Sequence, residues 1–216
     1  MLIKAVPFRS SWRNWPSAKP TLLVISLSAV GTQAAHAADA TIWRSAMGAT
    51  VIATALTNAL GSDTMLLELG TGNDIYFARY SARWYSDTST TFSNGLTITP
   101  SLQAGYSKWQ SAKDSSSSAT NNVIDLLPVF RWEGSALPLV DFIDTGVGLS
   151  IFSSDELAGR KFGGPLQFNN YLGIGWRFGE DDNWEASVHY QHYSNNNIYE
   201  ENNGVNFAHI SIGYNY

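Results

Sequence analysis

The sequence predicts an all-β protein, an eight-stranded antiparallel transmembrane β-barrel of the bacterial outer membrane. Three observations predict it. The chain opens like an exported protein, with Lys4, Arg9, Arg13 and Lys19 preceding the apolar run 21–31 and an Ala35-His-Ala37 cleavage pattern. Aromatic residues make up 13% of the chain, eight of them Trp, yet no stretch beyond the leader reaches the roughly 18 apolar residues of a membrane helix. Eight segments alternate apolar and polar residues, and charges such as Arg79, Arg83, Asp125, Asp144 and Arg177 fall on the face opposite the apolar one.

Cleavage after Ala37 divides the chain into a signal peptide (1–37), an N-terminal periplasmic or interfacial segment (38–61) and the barrel (62–216). Trp43, Met47, Val51, Ala55 and Leu56 form a loose helical stripe in the second of these, to which no function is assigned. The net charge of −5 becomes more negative once the basic leader is removed, which argues against nucleic acid as a partner. With no cysteine, a disulfide scaffold and a thiol nucleophile are both excluded.

Taken in order, the first strand is short, 65–70, with Met65, Leu67 and Leu69 on one face. In the second, 75–85, Tyr76, Ala78, Tyr80, Ala82 and Trp84 oppose Arg79, Ser81 and Arg83. The third, 96–108, sets Leu102, Ala104 and Tyr106 against Ser101, Gln103 and Ser107. In the fourth, 123–132, Leu126, Phe130 and Trp132 oppose Asp125 and Arg131. The fifth places Ile143, Val147, Leu149 and Ile151 opposite Asp144, Gly146, Gly148 and Ser150. The sixth places Phe168, Leu172, Ile174 and Trp176 opposite Gln167, Asn169, Gly173, Gly175 and Arg177. The last two strands, 184–194 and 204–216, form a hairpin. A β-sandwich would have to solvate a whole sheet face to accommodate this pattern. A closed barrel turns the polar face inward as a network and leaves no edge for lipid to satisfy.

With both ends in the periplasm, the long polar connections 113–122, 153–165 and 195–203 face outward, and 133–136 and 179–183 are short inward turns. The connection 86–95 is long for an inward one. The polar face is expected to fill the lumen, with His189 and His209 among the interior residues. The glycine pairs 146/148 and 173/175 are expected where the wall packs tightly.

The chemistry lies in the last hairpin. Trp184, Ala186, Val188 and Tyr190 share an apolar face whose parity continues to His192 and Ser194, and in the last strand the apolar parity reaches Asn206. Residues two apart on a strand have Cα atoms roughly 6.5–7 Å apart, within reach for an imidazole to take a serine proton. Polar groups near the membrane interface also cost little, so the pair could simply mark where the membrane ends.

His192-Tyr-Ser194-Asn195, on the penultimate strand of a small exported barrel with an aromatic terminus, resembles the PagL-type lipid A 3-O-deacylases. The resemblance implies a serine esterase acting from the lipid-facing wall on lipopolysaccharide in the outer leaflet, releasing the 3-O-linked 3-hydroxyacyl chain of lipid A. No spacing among His, Asp and Glu suggests a metal site, no cofactor is expected, and a homodimer is left open. The resemblance assigns His192 as base, Ser194 as nucleophile, and Asn195, the backbone of Asn197 and the side chain of Asn202 as oxyanion donors. The family's third member is an acid twelve residues after the serine; here that position is Asn206. Asn206 would orient His192 through its carbonyl, with Glu201 or Glu200 as surrogate acids folding back from the loop. Two other functions compete: a catalytically impaired or adhesive barrel of the same fold, and a lipid A acyltransferase, which would need an apolar lumen.

Overall fold

The computed structural model describes residues 5–7, 61–113 and 120–216. The expected signal peptide and N-terminal segment therefore lie outside the described residues, except for Gly61 and for Ala5–Pro7, which pairs with residues 88–90. The barrel strands are β1 (Thr64–Gly72), β2 (Ile75–Tyr85), β3 (Leu96–Ser111), β4 (Thr120–Gly134), β5 (Phe142–Phe152), β6 (Leu166–Phe178), β7 (Trp184–Ser194) and β8 (Val205–Asn215). Each is antiparallel to the next, and β8 returns to β1, pairing Tyr214 with Met65 and Ala208 with Thr71. The sheet is thus closed, which removes the edges that lipid could not hydrogen-bond.

The alternating pattern sorts as its period requires. Ile124, Leu126, Val147, Leu149, Ile151, Leu172, Val188, Ile210 and Ile212 are exposed on the outer wall. Near the chain ends the wall carries an aromatic girdle: Trp184 packs edge-on to Tyr214 at 5.0 Å, and the Trp176 indole donates to the Leu139 carbonyl at 2.9 Å. Such girdles hold the polar end of each ring at the headgroup level.

Inside, three arginines are buried with carboxylates. Arg131 binds Asp144 through Nε and Nη2, both at 2.8 Å, and Glu185 through Nη1 at 2.7 Å, with its guanidinium 3.7 Å from the Phe142 ring centroid. Arg83 reaches the same Asp144 at 2.8 Å. Further out, Arg79 pairs with Glu68 and donates to Gln191 at 2.8 Å and to the Tyr193 hydroxyl at 2.9 Å. Buried charges persist only when paired and hydrogen-bonded in this way. His189 and His209 belong to this interior; they stack at 4.7 Å, and Ser187 lies 2.6 Å from His189 Nε2. Gly173 makes room for the His189 ring, because a Cβ there would overlap it.

The structure corrects the expected lumen in one respect. Its outer end is not polar but a packed apolar plug of Ile75, Phe77, Trp109, Val123, Phe152, Tyr193, Val205 and Phe207, closed by Leu157 and Phe162 from the β5–β6 loop. Trp109 sits at its centre, edge-on to Phe152, Tyr193 and Phe207 at 4.8–4.9 Å. The long inward connection between β2 and β3 also has a simple form. It is a hairpin extension in which Thr88–Thr91 pairs back onto β3, Thr90 opposite Ile98, through a turn at 92–95.

Candidate active site

β7 and β8 bring the site together on the outer wall near the outer end of the barrel. Their register places His192 opposite Asn206, and on the other side His192 faces Asn170 of β6 and Ser194 faces Phe168. Nδ1 of His192 lies 2.6 Å from Oδ1 of Asn206. An amide oxygen only accepts, so Nδ1 carries a proton, and in the neutral ring the lone pair is on Nε2. The Tyr190 hydroxyl donates to the same Oδ1 at 2.9 Å. The Asn206 backbone N–H donates at 2.8 Å to the side chain of Asn73 in the β1–β2 turn, which fixes the start of β8.

Ser194 shares the outer face with His192, and both are half-buried. The two make no hydrogen bond to each other. Gly204 lies against both residues. A Cβ built on it would lie 3.1 Å from Cε1 of His192, 3.4 Å from Cβ of Ser194 and only 2.8 Å from the Tyr193 carbonyl.

The Asn195–Asn197 run forms a tight turn. Asn196 and Asn197 have φ of 52° and 61°, and the Ile198 N–H returns to the Asn195 carbonyl at 3.1 Å. Two central residues with positive φ make a type I′ turn, which asparagine tolerates better than most residues. Asn195 itself points inward and is fully buried; its Nδ2 donates to Phe162 and Glu201 carbonyls at 2.8 and 2.6 Å. Asn202 accepts from the Asn195 N–H at 3.0 Å and donates to the Asn197 side chain at 3.1 Å. Glu201 faces Lys161 across the loops at 3.3 Å, and Glu200 is exposed. The residue beside His192 is therefore Asn206, and the paired loop acid Glu201 is engaged elsewhere.

The β5–β6 loop grips this corner. Arg160 donates to the Asn203 and Gly204 carbonyls at 2.8 and 2.7 Å, and the Tyr199 ring covers Gly164. Beside the site, the outer wall holds a groove of about 350 Å³, lined by Phe130, Thr145, Val147, Asn170, Leu172 and Tyr190. The β4–β5 pairing lapses at Leu127 and Pro128 next to it, since proline has no N–H to donate. Tyr190, Gly204 and Arg160 went unassigned in the sequence. Parity alone could have flagged Tyr190, two residues before His192; nothing local marks the other two.

The family model described as lipid A 3-O-deacylase (PagL) matches residues 75–215. The lipid A deacylase PagL of Pseudomonas aeruginosa is 27% identical over 186 residues, which cover 86% of this chain and 91% of that protein. The lipid A deacylase PagL of Bordetella bronchiseptica is 30% identical over 120 residues, 55% of this chain and 62% of that protein. In fold, the chain is similar to the crystal structure of the outer membrane enzyme PagL, with a TM-score of 0.61 at 23% identity over 71% of this chain and 99% of that one.

Proposed function

This chain belongs to the PagL family of lipid A 3-O-deacylases and is an outer-membrane β-barrel, and on that premise we propose that it is a serine esterase working from its lipid-facing wall. The observation that carries the proposal is the 2.6 Å contact between His192 Nδ1 and Asn206 Oδ1, which in the neutral imidazole leaves the Nε2 lone pair free on the residue that shares a face with Ser194. Serine is a weak nucleophile until a neighbouring base takes its proton. In this reading His192 Nε2 accepts the Ser194 proton as Oγ attacks the ester carbonyl at the 3-position of a lipid A glucosamine. The tetrahedral oxyanion then collapses, and His192 returns the proton to the departing sugar hydroxyl. Water, deprotonated by the same nitrogen, hydrolyses the acyl-serine and frees a 3-hydroxy fatty acid.

Donors to the oxyanion come from the turn after Ser194. The Asn197 N–H, which the turn's own hydrogen bond does not use, and the second amide proton of Asn202 are the candidates. Asn195, with its side chain held by two carbonyls, serves this reading as the latch that shapes the turn. The apolar groove beside Tyr190 suits an acyl chain that stays in the bilayer while its ester reacts. One chain carries every residue of the site, so the reading needs no second copy.

Active-site labelling tests the proposal. A fluorophosphonate added to the purified barrel in detergent should modify Ser194, read by peptide mass mapping, and His192→Ala should abolish the adduct. Labelling only at other serines, or adduct at Ser194 that survives His192→Ala, would contradict it.

A further inference from the structure

The third residue of the proposed site is an amide, and an amide has a failure mode that a carboxylate lacks. Turned one way, Asn206 offers Oδ1 to His192, which then carries its proton on Nδ1 and keeps Nε2 as a base. Turned by 180°, it offers Nδ2, which donates to Nδ1; the imidazole must then carry its proton on Nε2 and can no longer accept one from Ser194. Asparagine by itself has little to choose between these orientations. A carboxylate presents oxygen either way.

We propose that the Tyr190 hydroxyl is the positioning group that sets the Asn206 amide, and through it the tautomer of His192. Its O–H lies 2.9 Å from the same Oδ1 that faces Nδ1 at 2.6 Å, so one carbonyl accepts from two donors. A phenol is a good donor and a poor acceptor, because the ring draws on its oxygen lone pair. Flipping the amide would replace two sound hydrogen bonds by one donated to the Nδ1 lone pair of the other tautomer and one to a weak acceptor. The Asn206 backbone donates to Asn73 at 2.8 Å, which holds the main chain under the amide in place.

Tyr190 has a second contact that makes the assignment separable. Its ring lines the outer groove while its hydroxyl reaches Asn206. Tyr190→Phe removes the hydroxyl and leaves the groove wall; Tyr190→Ala removes both. The inference rests on the esterase reading for its catalytic consequence, but the amide orientation it asserts exists whether or not the barrel turns over.

Two measurements test it. The first is hydrolysis of 3-O-acylated lipid A in detergent micelles by the wild type, Tyr190→Phe, Asn206→Glu and the double variant. We expect Tyr190→Phe to lower kcat about tenfold, the net worth of one hydrogen bond, with KM little changed. In the Asn206→Glu background the same substitution costs a clearly smaller factor, because a carboxylate needs no orienting. An unchanged kcat in Tyr190→Phe, or an equal loss in both backgrounds, would overturn the assignment. The second is the side-chain 15N spectrum of His192, which should report Nδ1–H in the wild type and a mixture with Nε2–H in Tyr190→Phe. If the spectrum changes this way and no variant hydrolyses lipid A, the Tyr190 assignment stands and the esterase reading falls. An identical tautomer in both proteins overturns the Tyr190 assignment.

Discussion

His192 and Asn206 are Cα partners across the β7–β8 ladder, and their side chains meet on the outer wall with Nδ1 and Oδ1 2.6 Å apart. The register of a single hairpin therefore builds the contact that decides which imidazole nitrogen can act as a base. What the contact lacks is charge: in the proposed reaction a carboxylate would stabilise the imidazolium formed when Ser194 loses its proton, and an amide carbonyl would do so only through its dipole.

That difference predicts the effect of restoring an acid. Asn206→Glu should raise kcat by about tenfold or more, within the roughly four orders of magnitude that the reverse change can cost in a serine triad. Asn206→Ala should lower it, leaving Tyr190 without its acceptor. Release of 3-hydroxy fatty acid by the purified proteins, quantified by gas chromatography, checks both.

Gly204→Ala should damage the site more than the fold. The added methyl would press on the Tyr193 carbonyl at 2.8 Å and on the His192 ring at 3.1 Å, so β8 or the imidazole must shift. Overpacking of this kind costs about 1–3 kcal/mol of stability, while a displaced base can cost about a hundredfold in rate. The variant should remain heat-modifiable on a gel, as folded barrels are, and hydrolyse lipid A slowly. Wild-type activity would show that Gly204 does not set the spacing.

Arg131→Ala should act on the fold and not on the chemistry. Removing it leaves Glu185 without its arginine and Asp144 with Arg83 alone, all buried in the lumen. Breaking a buried ion pair from one side costs about 3–5 kcal/mol. Guanidinium unfolding followed by tryptophan fluorescence should show a lower midpoint, whereas replacing an outer-wall residue such as Ile212 by Val should barely move it.

Much of this was legible in the sequence because a strand has a period of two. Arg79, Arg83, Asp125 and Asp144 each take, on their own strand, the parity that can only be the lumen once the opposite face is apolar, and the same rule puts His192, Ser194 and Asn206 together on the outside. The plug was misread for a related reason. Phe77 has the parity of Arg79, and treating the inward rows as polar throughout overlooked that they turn apolar at their outer ends, where Trp109 and Phe207 meet. The loop contacts were illegible on different grounds. Arg160 holds the carbonyls of Asn203 and Gly204, and Asn195 holds those of Phe162 and Glu201; a backbone carbonyl carries no sequence signature. The oxyanion role expected of Asn195 came from the family resemblance, and strand parity turns its side chain inward, away from the serine.

The central claim, that Ser194 on the lipid-facing wall cleaves the 3-O-acyl chain of lipid A, is tested most directly by mass spectrometry of lipid A from cells expressing the wild type or Ser194→Ala. The account predicts loss of one 3-hydroxyacyl mass with the wild type and full-length lipid A with Ser194→Ala, both barrels being folded and in the outer membrane. Deacylation that persists in Ser194→Ala, or lipid A left intact by the folded wild type, would contradict it.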